Sequence, residues 1–282
     1  MGRILSLFML MLVLFSWSCS EEETRPESSS QLVVEGWIED GQFPIVILTS
    51  SVPVTQTYQN VDSLDQYVIK WAKVTISDET NSVVLMGKVD KKYFPPYVYT
   101  TSYLRGKAGH KYKLTVSCED MYAEAETTIP QPVEVNSLNV IKVPDSIASY
   151  KVVANFSDNP FEKNYYKFFV EVYNKEKRFL SSPMGLVDDA CLNINSEVLI
   201  QPGKRIDGIN EYSPYFSVND TVLVKITQVD PVSYEIWKGF EELSSLSRNP
   251  IYMWHENIKT NISGGLGYWC GYGSSISSVV IK

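Results

Sequence analysis

The residues of this 282-residue chain that could do chemistry are few. A Ser-His-Asp triad would have to use His110 or His255, the two histidines. His110 sits in a turn beside Gly109 and His255 follows Trp254 in a loop, and neither is near a Gly-x-Ser-x-Gly elbow. Asp188 and Asp189 are adjacent carboxylates. No alternating run of oxygen donors surrounds them as in a calcium loop, so a solvated turn is expected there. Gly264-Gly265-Leu266-Gly267 lacks the Lys-Ser/Thr and the helix that complete a phosphate loop. Its glycines suit a turn or a close backbone approach. The cysteines form no Cys-x-x-Cys and no zinc-spaced grouping with histidine. The expectation is a protein that is not an enzyme and has no metal or cofactor.

Aromatic residues are the suggestive excess, at 12% of the chain with 18 tyrosines. Aromatic faces bind sugars and peptides, and exposed aromatics mark interfaces. Two clusters read as loops, where binding residues concentrate. One is Tyr93-Phe94-Pro95-Pro96-Tyr97; the other is Tyr252-Met253-Trp254-His255. Tyr93, Phe94, Tyr97, Tyr252 and Trp254 are the candidate binding aromatics. The competing explanation is that tyrosine simply suits strands.

The N-terminus carries chemistry of another kind. Arg3 precedes an apolar run over 4–15 that is broken only by Ser6. Twelve helical residues reach about 18 Å, short of a hydrocarbon core of roughly 30 Å. A positive start and a short apolar run read as a secretory signal. Phe15-Ser16-Trp17-Ser18-Cys19 then resembles a lipobox, with Ser18 as the small residue before the cut and Cys19 as the lipid-attachment site, palmitate included. Ser16 stands where leucine is usual, and Trp17 where a small residue is usual; lipoboxes of Bacteroidetes-type bacteria are looser. Ser20, Glu21, Glu22 and Glu23 follow, and an acidic cluster after the lipidated cysteine resembles the surface-export signal of those bacteria. Residues 19–30 also suit a flexible tether.

Cleavage after residue 18 removes Arg3 and no acidic residue, so the formal charge moves from −8 to −9. An acidic body argues against nucleic acid, whose phosphates need a basic face. Of the remaining cysteines, Cys191 and Cys270 both fall in the second half and are the expected disulfide pair of an exported chain. Burial of all three as small hydrophobes stays open.

These residues must be positioned by β-structure. Ala72, Val74 and Ile76 alternate with polar neighbours, as do Tyr112, Leu114 and Val116, which is the signature of half-buried strands. Further strands are expected over 32–38, 44–48, 83–85, 97–101 and 122–129. Short strands separated by turn residues are sandwich patterning. Pro130-Gln131-Pro132 interrupts this pattern and marks a domain boundary between 31–130 and 131–282. The second half shows strands over 149–156, 165–173 and 221–229, with a loop-rich stretch over 181–217. Asp230 and Pro231 open an amphipathic helix over 231–247 as N-cap and first residue. Ile236, Phe240 and Leu243 form its apolar face with Val232 and Trp237 beside them; Glu235, Lys238, Glu241 and Glu242 are expected in solvent.

Several motifs in order carry a resemblance. Leu32-Val33-Val34-Glu35-Gly36-Trp37-Ile38 opens the body, Gly109-His110-Lys111-Tyr112-Lys113-Leu114-Thr115-Val116 follows, then Thr127-Thr128-Ile129-Pro130. Asn261-Ile262-Ser263-Gly264-Gly265-Leu266-Gly267-Tyr268-Trp269 comes near the end. Together they resemble the Bacteroidetes lipoprotein family filed as the domain of unknown function numbered 4249. The resemblance implies an outer-membrane lipoprotein, lipid-anchored and cell-surface exposed. Its first half would be similar to immunoglobulin-like or carrier-type sandwiches, and a second β-rich domain with one helix would follow. Relatives commonly occur beside TonB-dependent transporters, which implies a non-enzymatic accessory in substrate capture or complex assembly. The alternative is a free-standing glycan- or protein-binding module or adhesin. The ligand is not legible.

Overall fold

Alternation of apolar and polar residues produces strands along nearly the whole body. The computed structural model describes residues 30–51, 65–144, 146, 148–173, 175–176, 178–191, 195–204, 212–246 and 259–282. The first half holds β1 (Leu32–Glu39), β2 (Ile45–Ser50), β3 (Lys73–Ser77), β4 (Ser82–Val84), β5 (Met86–Val89), β6 (Tyr97–Thr100), β7 (Lys111–Cys118) and β8 (Met121–Thr128). After the Pro130–Pro132 segment come β9 (Val135–Lys142), β10 (Tyr150–Ser157), β11 (Tyr165–Val172), β12 (Leu180–Asp188), β13 (Asn195–Ile200) and β14 (Thr221–Val229). Helix α1 (Pro231–Leu246) and the long β15 (Leu266–Val280) complete it. The protein is mostly β, as its sequence pattern requires.

Three sheets form. The largest has eight strands in the order β12-β11-β14-β15-β1-β2-β6-β5; a four-stranded sheet runs β4-β3-β7-β8 and a three-stranded one β13-β10-β9. The large sheet draws strands from both sides of Pro130–Pro132, because β15 lies between β14 and β1. Two apolar cores lie against the large sheet, and the first takes Ile262 and Trp269 from beyond that segment. Val34, Ile38, Val46 and Leu48 of the large sheet pack with Val74, Ile76, Leu114 and Val116 of the four-stranded sheet. Tyr166, Phe168, Val222, Val224 and Ile226 pack instead with Val152, Ala154, Phe156 and Ile200 of the three-stranded sheet. One face of the large sheet thus carries two smaller sheets. Residues 31–282 form one compact unit.

β15 departs most from expectation. Gly264 and Gly265 lie in a turn and Gly267 makes a close backbone approach, as expected, but a long central strand begins there, and the loop-rich stretch expected over 181–217 contains β12 and β13. Gly267 shows why glycine is needed: its φ is +101°, and a Cβ there would lie 1.9 Å from the Val34 carbonyl oxygen. Beyond it, Trp269 is fully buried in the first core and donates from Nε1 to the Tyr112 carbonyl at 3.1 Å. Asn261 brackets this tryptophan, accepting from its N–H at 3.0 Å and donating to its carbonyl at 2.7 Å.

The helix forms for the expected reason. Asp230 accepts from the Ser233 N–H at 2.7 Å, and Pro231 occupies the first turn. Ile236, Trp237 and Phe240 pack on the face of the large sheet opposite the small sheets, against Phe169, Tyr268 and Tyr272. Two helix expectations need correction. Val232 is exposed and Ser233 buried in its place, because the capped first turn points Ser233 at the sheet. Glu241 turns inward to meet the fully buried Lys167 Nζ at 2.5 Å. Burial lowers the Lys167 pKa, and the Glu241 charge and hydrogen bond oppose that shift.

Candidate functional site

Period-two alternation has a second consequence. If Val34, Gly36 and Ile38 of β1 face the core, then Glu35, Trp37 and Glu39 face the other side. The same logic turns out Ile45 and Ile47 on β2, Phe169 on β11, Lys225 on β14 and Tyr268 and Tyr272 on β15. Helix α1 covers only part of this face. Beside it lies a cavity of about 850 Å³, lined by all of these residues together with Tyr93, Phe94, Arg178, Phe179 and Trp237. Its floor is the sheet face, and Tyr93 and Phe94 reach it from the β5–β6 connection.

The cavity is aromatic and charged at once. Trp37 and Tyr93 meet with ring centroids 5.8 Å apart. Trp237 contacts Phe169 at 5.7 Å and Tyr268 at 5.6 Å, and donates from Nε1 to the Tyr272 hydroxyl at 3.1 Å. Lys225 Nζ lies 5.1 Å from the centroid of Phe169 and 4.8 Å from that of Phe179, so a cation rests on two ring faces. The same ammonium meets Glu39 Oε1 at 2.7 Å. Tyr268 donates its hydroxyl to Glu35 Oε1 at 2.8 Å. Burial raises the Glu35 pKa above the usual carboxylate range; the Tyr268 hydrogen bond and the Arg178 charge act in the opposite direction. Burial, reinforced by Asp90 and Glu39, pushes the Tyr93 phenol up to about 12.

This arrangement sits within the region that a family model recognises. The model described as Domain of unknown function (DUF4249) matches residues 21–276. The chain belongs to the DUF4249 family. A search of curated proteins gives no match. In this DUF4249 chain the matched segment contains every residue of the cavity.

The expected site residues fall into three groups. Tyr93 and Phe94 line the cavity. Tyr97 does not: its hydroxyl donates to the Lys70 carbonyl at 3.1 Å, and its ring packs edge-on against Tyr99 at the first core. Cys19, Ser20, Glu21, Glu22, Glu23, Tyr252 and Trp254 lie outside the described residues, as does the side chain of Cys191. Cys270 is a buried free thiol rather than half of a bridge. It faces the helix side of β15, and burial pushes its pKa up to about 12. Among the described residues no three His, Cys, Asp or Glu side chains are grouped to hold a metal ion.

Sequence reasoning missed Glu35, Trp37, Glu39, Phe169, Phe179, Lys225 and Trp237. A signal existed in β1, where Glu35, Trp37 and Glu39 recur at every second residue. A carboxylate, an indole and a carboxylate on one strand face do not make an ordinary solvent side. The partners on β11 and β14 could not be aligned with them without knowing that β15 intervenes.

Proposed function

We propose that this DUF4249 protein is a non-enzymatic lipoprotein of the outer-membrane surface that captures a ligand in the aromatic cavity, as an accessory to a TonB-dependent transporter. The observation that carries the capture reading is the cavity itself. Small-molecule sites are concave, with apolar and aromatic linings and a few oriented polar groups, and about 850 Å³ bounded by Trp37, Tyr93, Phe179 and Trp237 matches that description. Two pairs of the cavity's charges engage each other, Lys225 with Glu39 and Lys88 with Asp90, and fixed ion pairs of this kind suit holding a ligand. Lipid attachment at Cys19 and the acidic residues 20–23 supply the anchoring and export half of the proposal. One chain binds a membrane marginally, but a lipoprotein carries several.

Two measurements test this. Outer membranes solubilised in mild detergent should yield a TonB-dependent protein bound to the tagged chain. Recovery of the tagged protein alone would remove the transporter role. Cys19→Ala should leave the protein unprocessed or released, and undiminished lipid labelling of that variant would remove the anchor.

A further inference from the structure

Resting on the capture reading above, we infer that the cavity's ligand is an uncharged, polyhydroxylated molecule, a neutral oligosaccharide. Three observations converge. First, the lining balances its charges: Glu35, Glu39, Asp40, Asp90 and Glu171 stand against Lys88, Lys92, Arg178, Lys204 and Lys225. A ligand of high net charge of either sign would meet as much repulsion as attraction. A purely apolar ligand would strip water from these groups and return no hydrogen bonds. Hydroxyl groups both donate and accept, so they satisfy carboxylates and ammonium groups alike.

Second, the floor offers mostly side chains. β1 and β14 are each paired along both edges, so their backbone groups are consumed by the ladder, while β15 pairs with β1 over 266–272 and with β14 over 273–280. An extended peptide that joins a sheet needs a free edge, and the paired strands β1 and β14 provide none. Third, aromatic side chains occupy both sides of that floor. Trp37 and Tyr93 form one pair, and Phe169 and Phe179 flank Lys225 on the other side. Flat apolar rings paired with planar polar groups suit the C–H faces and equatorial hydroxyls of pyranose rings.

The test uses the full mature chain against a panel of neutral oligosaccharides and, in parallel, a tripeptide library, followed by calorimetry. Binding to a neutral glycan is expected, weakened at least tenfold by Trp37→Ala and by Tyr93→Ala and largely kept by Trp37→Phe. Near-ultraviolet dichroism checks that each variant is folded. Affinity should also hold steady from about 0.05 M to about 0.5 M salt, since no net charge is screened. Tripeptide binding without glycan binding overturns the ligand class and leaves capture standing. Glycan binding that survives Trp37→Ala and Tyr93→Ala, or that collapses with salt, overturns the site. Binding to neither panel overturns this inference and counts against capture itself.

Discussion

Lys225 on β14 and Glu39 on β1 are joined by a 2.7 Å ion pair that reaches across β15, between residues 186 positions apart in sequence. Both side chains are largely buried, at 9% and 12% exposure. The pair therefore ties the two halves of the large sheet and forms one wall of the cavity. Whether it stabilises the fold depends on what replaces it. Removing one partner strands the other charge and costs about 3–5 kcal/mol, whereas replacing both can be close to neutral. Lys225→Met and Glu39→Gln should each lower stability in urea titrations, and the double variant should recover much of the loss. A coupling of about 1.5 kcal/mol or more is expected from the cycle. Strict additivity would mean that the two groups do not act as a pair.

Lys167 and Glu241 hold α1 on the same sheet face. Lys167 is fully buried, while the Glu241 side chain is 31% exposed. Glu241→Gln leaves an ammonium in the core, and with one partner partly solvated the loss should be about 2–3 kcal/mol. Lys167→Met keeps the volume and removes the charge, so it should cost less. The ordering of their urea midpoints checks the argument, and the reverse order would refute it.

Glu35 makes stability depend on pH. Its folded pKa lies above the ordinary value of 4.5, chiefly through burial. Below 4.5 both states are protonated and the group contributes no penalty. As pH rises, the unfolded chain ionises first, so stability falls until the folded pKa is passed. Glu35→Gln keeps an oxygen for the Tyr268 hydroxyl and removes the titration. It should raise the urea midpoint at pH about 7 and leave it nearly unchanged at pH about 4. A variant less stable than the parent at neutral pH would show that the charged form is the favoured one.

The sequence revealed some features of this molecule for a physical reason and hid others for another. Strands that bury one face announce themselves, and β1, β3, β7, β11 and β14 fall where period-two patterning places them. The Asp230-Pro231 start of α1 is equally local, because a cap needs only its own first turn. β15 was hidden because its glycines read as a turn; Gly267 closely approaches the backbone of Val34, Gly271 that of Thr128 and Gly273 that of Pro130, all distant in sequence. The cavity was hidden likewise. Tyr93 and Phe94 stood out as a loop cluster, but Lys225, Phe169 and Trp37 read as ordinary strand residues until β15 sets β14 beside β1. Glu241 was misread because a helix wheel cannot see the lysine beneath it.

The same close approach yields a sharp test of the fold. Gly267 pairs with Val34 in the parallel β1–β15 ladder, at φ +101° and with the Val34 carbonyl oxygen 1.9 Å from any Cβ. Two costs should add in Gly267→Ala: backbone strain of about 1–2 kcal/mol and displacement of a strand that sits in the middle of the large sheet. Gly41 separates them, since its φ is +70° yet nothing lies within 4 Å of a Cβ there. Gly41→Ala should therefore cost about 1 kcal/mol, and Gly267→Ala about 3 kcal/mol or more. Displacing β15 would also loosen Trp269, so its fluorescence should shift to the red in Gly267→Ala and stay fixed in Gly41→Ala. Equal losses of stability in the two variants would show that β15 does not press on β1 as described.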